Sequence, residues 1–158
     1  MRKTFGTVMV ELAERDPHVV LIIGDIGFGI FDEFKSKFPE RFFNLGLCEQ
    51  SIVGIAAGLA LSSYKPYVYS ITPFILERPF EQVKLDVDQQ NVNVKLVGYG
   101  DYPDQGPTHV TLDERRLTQS FTNIVSYFPK SGAQTREFLL ESYESGKPAF
   151  ISLMKDNG

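Results

Sequence analysis

Cysteine occurs once in this chain, at Cys48, so no internal disulfide can form and packing alone must hold the fold. Tryptophan is missing, and histidine stands only at His18 and His109. With two histidines, one cysteine and no carboxylates clustered at ligand spacing, a self-contained zinc site is not expected. There is no basic excess either. Sixteen Lys and Arg against twenty Asp and Glu leave a net charge of −4, the reverse of a nucleic-acid footprint. No apolar run is long enough to cross a bilayer; the longest, residues 52–61, is short and glycine-containing. Near the amino terminus Glu11 and Glu14 interrupt any leader-like run, so residues 3–15 read as an amphipathic helix. No G-x-S-x-G nucleophile elbow occurs. What remains is the expectation of a soluble, cytoplasmic domain that meets neither membrane nor nucleic acid.

What is present is an alternating pattern. The run Val19-Val20-Leu21-Ile22-Ile23 is continuously apolar and β-branched, as a strand buried on both faces requires. Residues 67–71, 92–97, 124–127 and 149–153 read the same way. Helical segments are expected at 3–15, 29–37, 49–63, 77–90, 113–120 and 133–145. Ser131 followed by Gln134 marks a capping box opening the last of them. Strands alternating with helices predict an α/β fold of three layers, a mostly parallel sheet with helices on both faces. The 158 residues, 42% of them hydrophobic, suit one domain over 1–158. A chain of this length buries roughly 70% of its unfolded surface.

In such sheets ligands sit beyond the carboxyl ends of the strands. Here those ends are Gly24-Asp25-Ile26-Gly27, Asn44-Leu45-Gly46, Ser70 to Phe74, and the stretch Gly98 to His109, expected as a twelve-residue loop without regular structure. Each holds a candidate with a plain alternative reading. Gly24 to Gly29 lacks the G-x-G-x-x-G spacing, so Asp25 reads as readily as a turn residue bonding local amides. Glu49 opens an apolar helix, where an acid complements the helix dipole by about 0.3–1 kcal/mol. A carboxylate bound into so apolar a segment should also be partly buried and require a basic partner. Gly54 and Gly58 each cost about 1 kcal/mol relative to Ala in that helix and ask for close packing, in the core or against another chain. Phe74 can be ordinary core, and Arg78 a solvated or ion-paired side chain. His109, closing Gly106-Pro107-Thr108-His109, is an acid/base or hydrogen-bonding candidate.

In this order and spacing the signals resemble the pyrimidine-binding domain of transketolases, from about Thr4 to Asn157. The segment Phe38-Pro39-Glu40-Arg41-Phe42-Phe43-Asn44-Leu45-Gly46-Leu47-Cys48-Glu49-Gln50, then Gly54 to Ala60, looks like a phenylalanine-rich strand leading into a Glu-Gln pair and a Gly/Ala helix. Phe74 to Gln82 and Gly106 to His109 match further motifs of that family. The resemblance implies a thiamine-diphosphate-binding fold and gives each residue a role. Glu49 matches the glutamate that bonds the aminopyrimidine nitrogen of thiamine diphosphate, a catalytic and cofactor-binding role. Phe74 matches the aromatic packed on that ring, and Asp25 an aspartate lining the cofactor pocket. His109 matches the histidine that reaches the substrate's oxygens. Arg78 and Lys155 are the implied substrate-binding cations, Lys155 standing where many transketolases carry arginine.

The departures are as informative. In this family Mg2+ and the diphosphate are held by Gly-Asp-Gly and a downstream Asn on a separate domain, whereas here Gly24-Asp25 is followed by Ile26. Neither the metal-diphosphate domain nor the C-terminal domain is expected within these residues. The resemblance therefore implies a split enzyme, active with a partner subunit that supplies the metal ligands, in a heterotetramer acting on a ketose or 2-oxo acid. Ketol transfer or carboligation is the leading activity. A 2-oxo-acid decarboxylase or dehydrogenase subunit, a partner-binding scaffold, and an ordinary nucleotide-binding domain stay open beside it.

Overall fold

The computed structural model describes residues 1–100 and 102–154. At its centre, all five residues of β1 (Val19–Ile23) are buried. Their side chains alternate between two cores. Val19, Leu21 and Ile23 join Phe5, Met9 and Leu12 of α1 (Arg2–Arg15) and Leu139 of α7 (Gly132–Ser145). Val20 and Ile22 join Ile52, Val53 and Ala56 of α3 (Glu49–Leu61) and Ile75 of α4 (Thr72–Leu76). The flanking strands are β2 (Phe42–Asn44) and β3 (Lys65–Ile71); β4 (Lys95–Tyr99), β5 (Val125–Tyr127) and β6 (Ala149–Leu153) complete six strands in the order β2-β1-β3-β4-β6-β5. Every pairing is parallel. This is the three-layer α/β arrangement that the buried apolar runs require. No helix among the described residues is long and apolar enough to cross a membrane.

Element boundaries moved for local reasons. The helix expected at 29–37 contracts to α2 (Asp32–Lys37), because Gly27 and Gly29 adopt positive φ of 92° and 75° in the turn before it. A Cβ at Gly27 would lie 2.4 Å from the Phe31 ring, so only glycine fits. The single helix expected at 77–90 is divided. α4 begins earlier, at Thr72, and Pro79 separates it from α5 (Phe80–Gln82), which runs on into a π-helical turn at Val83–Gln89. The strand expected at 92–97 begins at Lys95, and the helix expected at 113–120 contracts to α6 (Glu114–Thr118), capped by Asp113. The stretch from Gly98 to His109 is not without regular structure: single 3-10 turns form at Pro103–Gln105 and Pro107–His109. Ser131 does cap α7, accepting from the Gln134 amide, while Gln134 Oε1 accepts from the Lys130 amide one residue upstream of the expected partner.

Two polar groups, one partly buried and one buried, fasten the frame. Arg41 donates to the carbonyls of Ala13 and Asp16, tying the carboxyl end of α1 to the approach to β2. The Asp88 carboxylate, 4% exposed, accepts from the amides of Thr122, Asn123 and Ile124 and so clamps the π-helical turn to the segment before β5. Asp88→Ala removes the acceptor of three amides, one buried and two partly buried, and chemical denaturation should read a loss of about 3 kcal/mol. An unchanged midpoint would mean that water replaces the carboxylate there.

Lys95 is 2% exposed at the start of β4, its ammonium donating to Asn93 and to the Lys147 carbonyl. Burial, aided by repulsion from Lys65, lowers its pKa from 10.5 to about 7. Between those values the unfolded chain binds a proton that the folded chain does not, so stability rises with pH across that window and Lys95 is a liability below it. In Lys95→Met that linkage disappears. The variant's stability relative to the unmutated protein should therefore be more favourable at about pH 6 than at about pH 9. Parallel denaturation curves at the two values test the sign.

Candidate functional site

The strand order places the site. From β1 the chain moves outward to β2, then crosses back to β3 on β1's other side. The connections leaving β1 and β3 diverge and open a crevice at their carboxyl ends. A cavity of about 220 Å³ lies there, lined by Gly24, Asp25, Ser70, Phe74, Tyr102 and His109 among others. Three residues singled out from sequence, Asp25, Phe74 and His109, thus meet around one space. A larger recess of about 580 Å³ opens beyond Thr72 between the ends of β4 and β6, where Ser152 Oγ donates to Glu114. No described candidate residue lines it. Lys155 lies outside the described residues.

Asp25 follows β1 at a φ of 53°, the left-handed region that aspartate and asparagine tolerate best. Its expected bonds to local amides are replaced by a pairing with the next strand. The Asp25 amide donates to Asn44 Oδ1 at 3.0 Å, and Asn44 Nδ2 donates to Asp25 Oδ1 at 3.1 Å. Asn44 Oδ1 also accepts from the Gly46 amide at 3.2 Å. Asn44 thereby fixes the end of β1 to the segment that leads into α3.

Glu49 stands in the first turn of α3 and is only 3% exposed. The basic partner its burial demands is Arg78, whose Nη1 donates to Glu49 Oε1 at 3.0 Å. The same guanidinium lies over the Phe74 ring, its Cζ 3.3 Å from the centroid. The His109 ring meets Phe74 at 4.9 Å, inclined by 65°. His109 Nδ1 is also 3.0 Å from Thr108 Oγ1. Glu49 and His109 thus stand beside one aromatic side chain, Glu49 through Arg78 and His109 directly. Proline at the second position of α4 starts the turn that carries Phe74, and Pro79 ends the turn that carries Arg78.

A flat aromatic face, a buried carboxyl and a histidine edge suit a flat heteroaromatic ring bearing a hydrogen-bonding nitrogen. Ser70 adds an independent sign. Its hydroxyl is buried, has no hydrogen-bond partner among the described residues and lines the cavity. Buried hydroxyls are normally satisfied, and this one is left available to a group entering the cavity. Sequence reading named the segment from Ser70 to Phe74 but did not single out Ser70, nor Tyr102 in the facing loop. A serine ending an otherwise apolar strand was the available signal for the first; for Tyr102 there was none. Elsewhere, the glycines of α3 have no close neighbour within the described residues. A Cβ at Gly58 would meet nothing within 4 Å, and one at Gly54 only Asp86 Oδ2 at 4.0 Å.

The family described as "Transketolase, pyrimidine binding domain" matches residues 1–158. One subunit of the apulose-4-phosphate transketolase of Actinobacillus succinogenes is 37% identical over 76% of this chain and 40% of that protein. The 1-deoxy-D-xylulose-5-phosphate synthase of Aquifex aeolicus is 37% identical over 91% of this chain and 23% of its own length. Among solved structures, a split gene transketolase described as an inactive beta4 tetramer superimposes with a TM-score of 0.88 at 29% identity, covering 98% of this chain and 50% of that one. The chain therefore spans half or less of the length of these relatives.

Because its hydroxyl is buried without a partner, Ser70→Ala should raise thermal stability by the equivalent of about 1 kcal/mol. A destabilised Ser70→Ala protein would show instead that the hydroxyl is satisfied in solution and is no ligand contact.

Proposed function

Since the chain belongs to the transketolase pyrimidine-binding domain family, we propose that it supplies the aminopyrimidine half of a thiamine diphosphate site completed by a partner subunit. The observation that carries this reading is Glu49, a carboxyl buried at the opening of α3 and joined through one guanidinium to the Phe74 ring beside the β1/β3 crevice. When bound, thiamine diphosphate supplies a thiazolium carbon that becomes nucleophilic on losing its proton. The chain's own residues prepare that chemistry. Glu49 holds a proton at the pyrimidine nitrogen N1′, the low-dielectric wall of α3 making that hydrogen bond count. Phe74 packs against the ring, and Asp25, fixed by Asn44, lines the pocket. His109, which lines the same cavity, is the residue we assign to the substrate's hydroxyl or carbonyl oxygen. Arg78 and Lys155 are the cations we assign to the substrate.

Ketol transfer is the activity we favour, supported by the likeness to one subunit of an apulose-4-phosphate transketolase and to a split gene transketolase. Magnesium ligands would come from the partner; among the described residues no three His, Cys, Asp or Glu side chains cluster in a way that could hold a metal. A partner surface is suggested on α3. Ile55 and Leu61 are exposed there, Leu47 just before it is 68% exposed, and the glycines leave its backbone open to close approach. A heterotetramer, with two sites related by a two-fold axis, is the assembly we expect. The lone, free Cys48 suits a cytoplasmic setting.

The test is Glu49→Gln in the complex purified with its partner. Turnover of a ketose donor should fall by roughly 10²–10⁴-fold with assembly intact, as expected when a positioned proton-transfer group is lost. Near-normal turnover would remove Glu49 from the chemistry and leave it a helix-end acid.

A further inference from the structure

Two surfaces define the proposed pyrimidine slot, the Glu49 carboxyl and the face of Phe74, and one side chain covers both. Arg78 Nη1 is 3.0 Å from Glu49 Oε1 while its Cζ sits 3.3 Å above the centre of the Phe74 ring. Aromatic atoms pack at about 3.5–4.0 Å, so no second flat group fits between guanidinium and ring. Phe74 is otherwise largely enclosed, being 7% exposed with the inclined His109 ring against it. We infer that Arg78 is a placeholder for the aminopyrimidine, occupying its position in the cofactor-free protein and leaving when the cofactor enters. This rests on the thiamine diphosphate reading of the site.

The chemistry gives the placeholder a purpose. Glu49 is almost wholly buried, and an ionised carboxylate there needs a charge partner. A planar guanidinium meets both demands, donating to the acid and stacking on the ring. If it stayed, it would keep Glu49 Oε1 engaged and deny that oxygen to the pyrimidine nitrogen. Departure is open to it, since the Arg78 side chain is 37% exposed while that of Glu49 is 4% exposed. Pro79 follows directly and restrains the backbone, so the movement falls to the side chain. Once released, the cation stands at the mouth of the site, where an anionic substrate would meet it. Arg78 is thus a positioning residue that acts through Glu49 before the cofactor arrives and is available to substrate afterwards.

The experiment compares thiamine diphosphate association, with magnesium present, in the unmutated complex and in Arg78→Met. Removing the placeholder should speed association on the order of 10-fold, the effect of about 1.4 kcal/mol taken from the barrier. Equal or slower association in a folded variant would overturn the inference, the slower result making Arg78 an ordinary cofactor contact. Arg78→Met leaves Glu49 buried without its partner, so a second readout uses the unmutated complex. The Arg78 Nη1–H resonance, that of the group bonded to Glu49, should be protected without cofactor and move to the position of a solvated arginine when thiamine diphosphate and magnesium are added. If cofactor binds and the resonance stays in place, the placeholder role alone falls. If neither complex binds thiamine diphosphate, the site reading falls and the placeholder with it.

Discussion

Burial of the sheet on both faces is the constraint from which the rest follows. Five consecutive apolar residues in β1 leave no room for a polar side chain along the strand, and β4 and β6 are likewise fully buried. Polar chemistry is therefore confined to strand ends. At the amino ends it is structural, as with Lys95 reaching Asn93 and the Lys147 carbonyl. At the carboxyl ends the divergence between β1 and β3 leaves a crevice, and Asp25, Phe74 and His109 gather there.

Beside that crevice the burial of one acid sets the arrangement of its neighbours. Glu49 cannot sit in the wall of α3 without a cation, Arg78 cannot reach it without crossing Phe74, and His109 closes on the same ring. Glu49 lies on α3, Phe74 on α4, Arg78 between Glu77 and Pro79, and His109 in the second 3-10 turn. These short elements converge because the residues between them either end a helix, as Pro79 does, or permit a turn, as Gly106 does at a φ of 91°. The precision of the site thus derives from turn chemistry on a rigid sheet.

Much of this was legible in the sequence, for identifiable reasons. A continuous apolar run marked β1, and short, largely apolar runs marked β3 and β6, because strands covered on both faces tolerate little else. Glu49 was legible as buried and in need of a base because a lone acid in a Gly/Ala/Ile helix has few alternatives. That its base is Arg78 was not, since the pair lies 29 residues apart and meets only through tertiary packing. The division of the segment at 77–90 escaped because helical periodicity runs on across Pro79, and a π-helical turn has no distinct sequence sign. The Asp25–Asn44 pairing escaped too, as it depends on the register of β1 and β2.

The two edges of the sheet carry a further consequence. β2 and β5 are each three residues long, against seven for β3. A margin so brief offers another chain only a rung or two of backbone bonding, so it is a poor template for lengthening the ribbon. Contact with another chain is thereby left to side chains, and lengthening of the sheet is disfavoured at both margins.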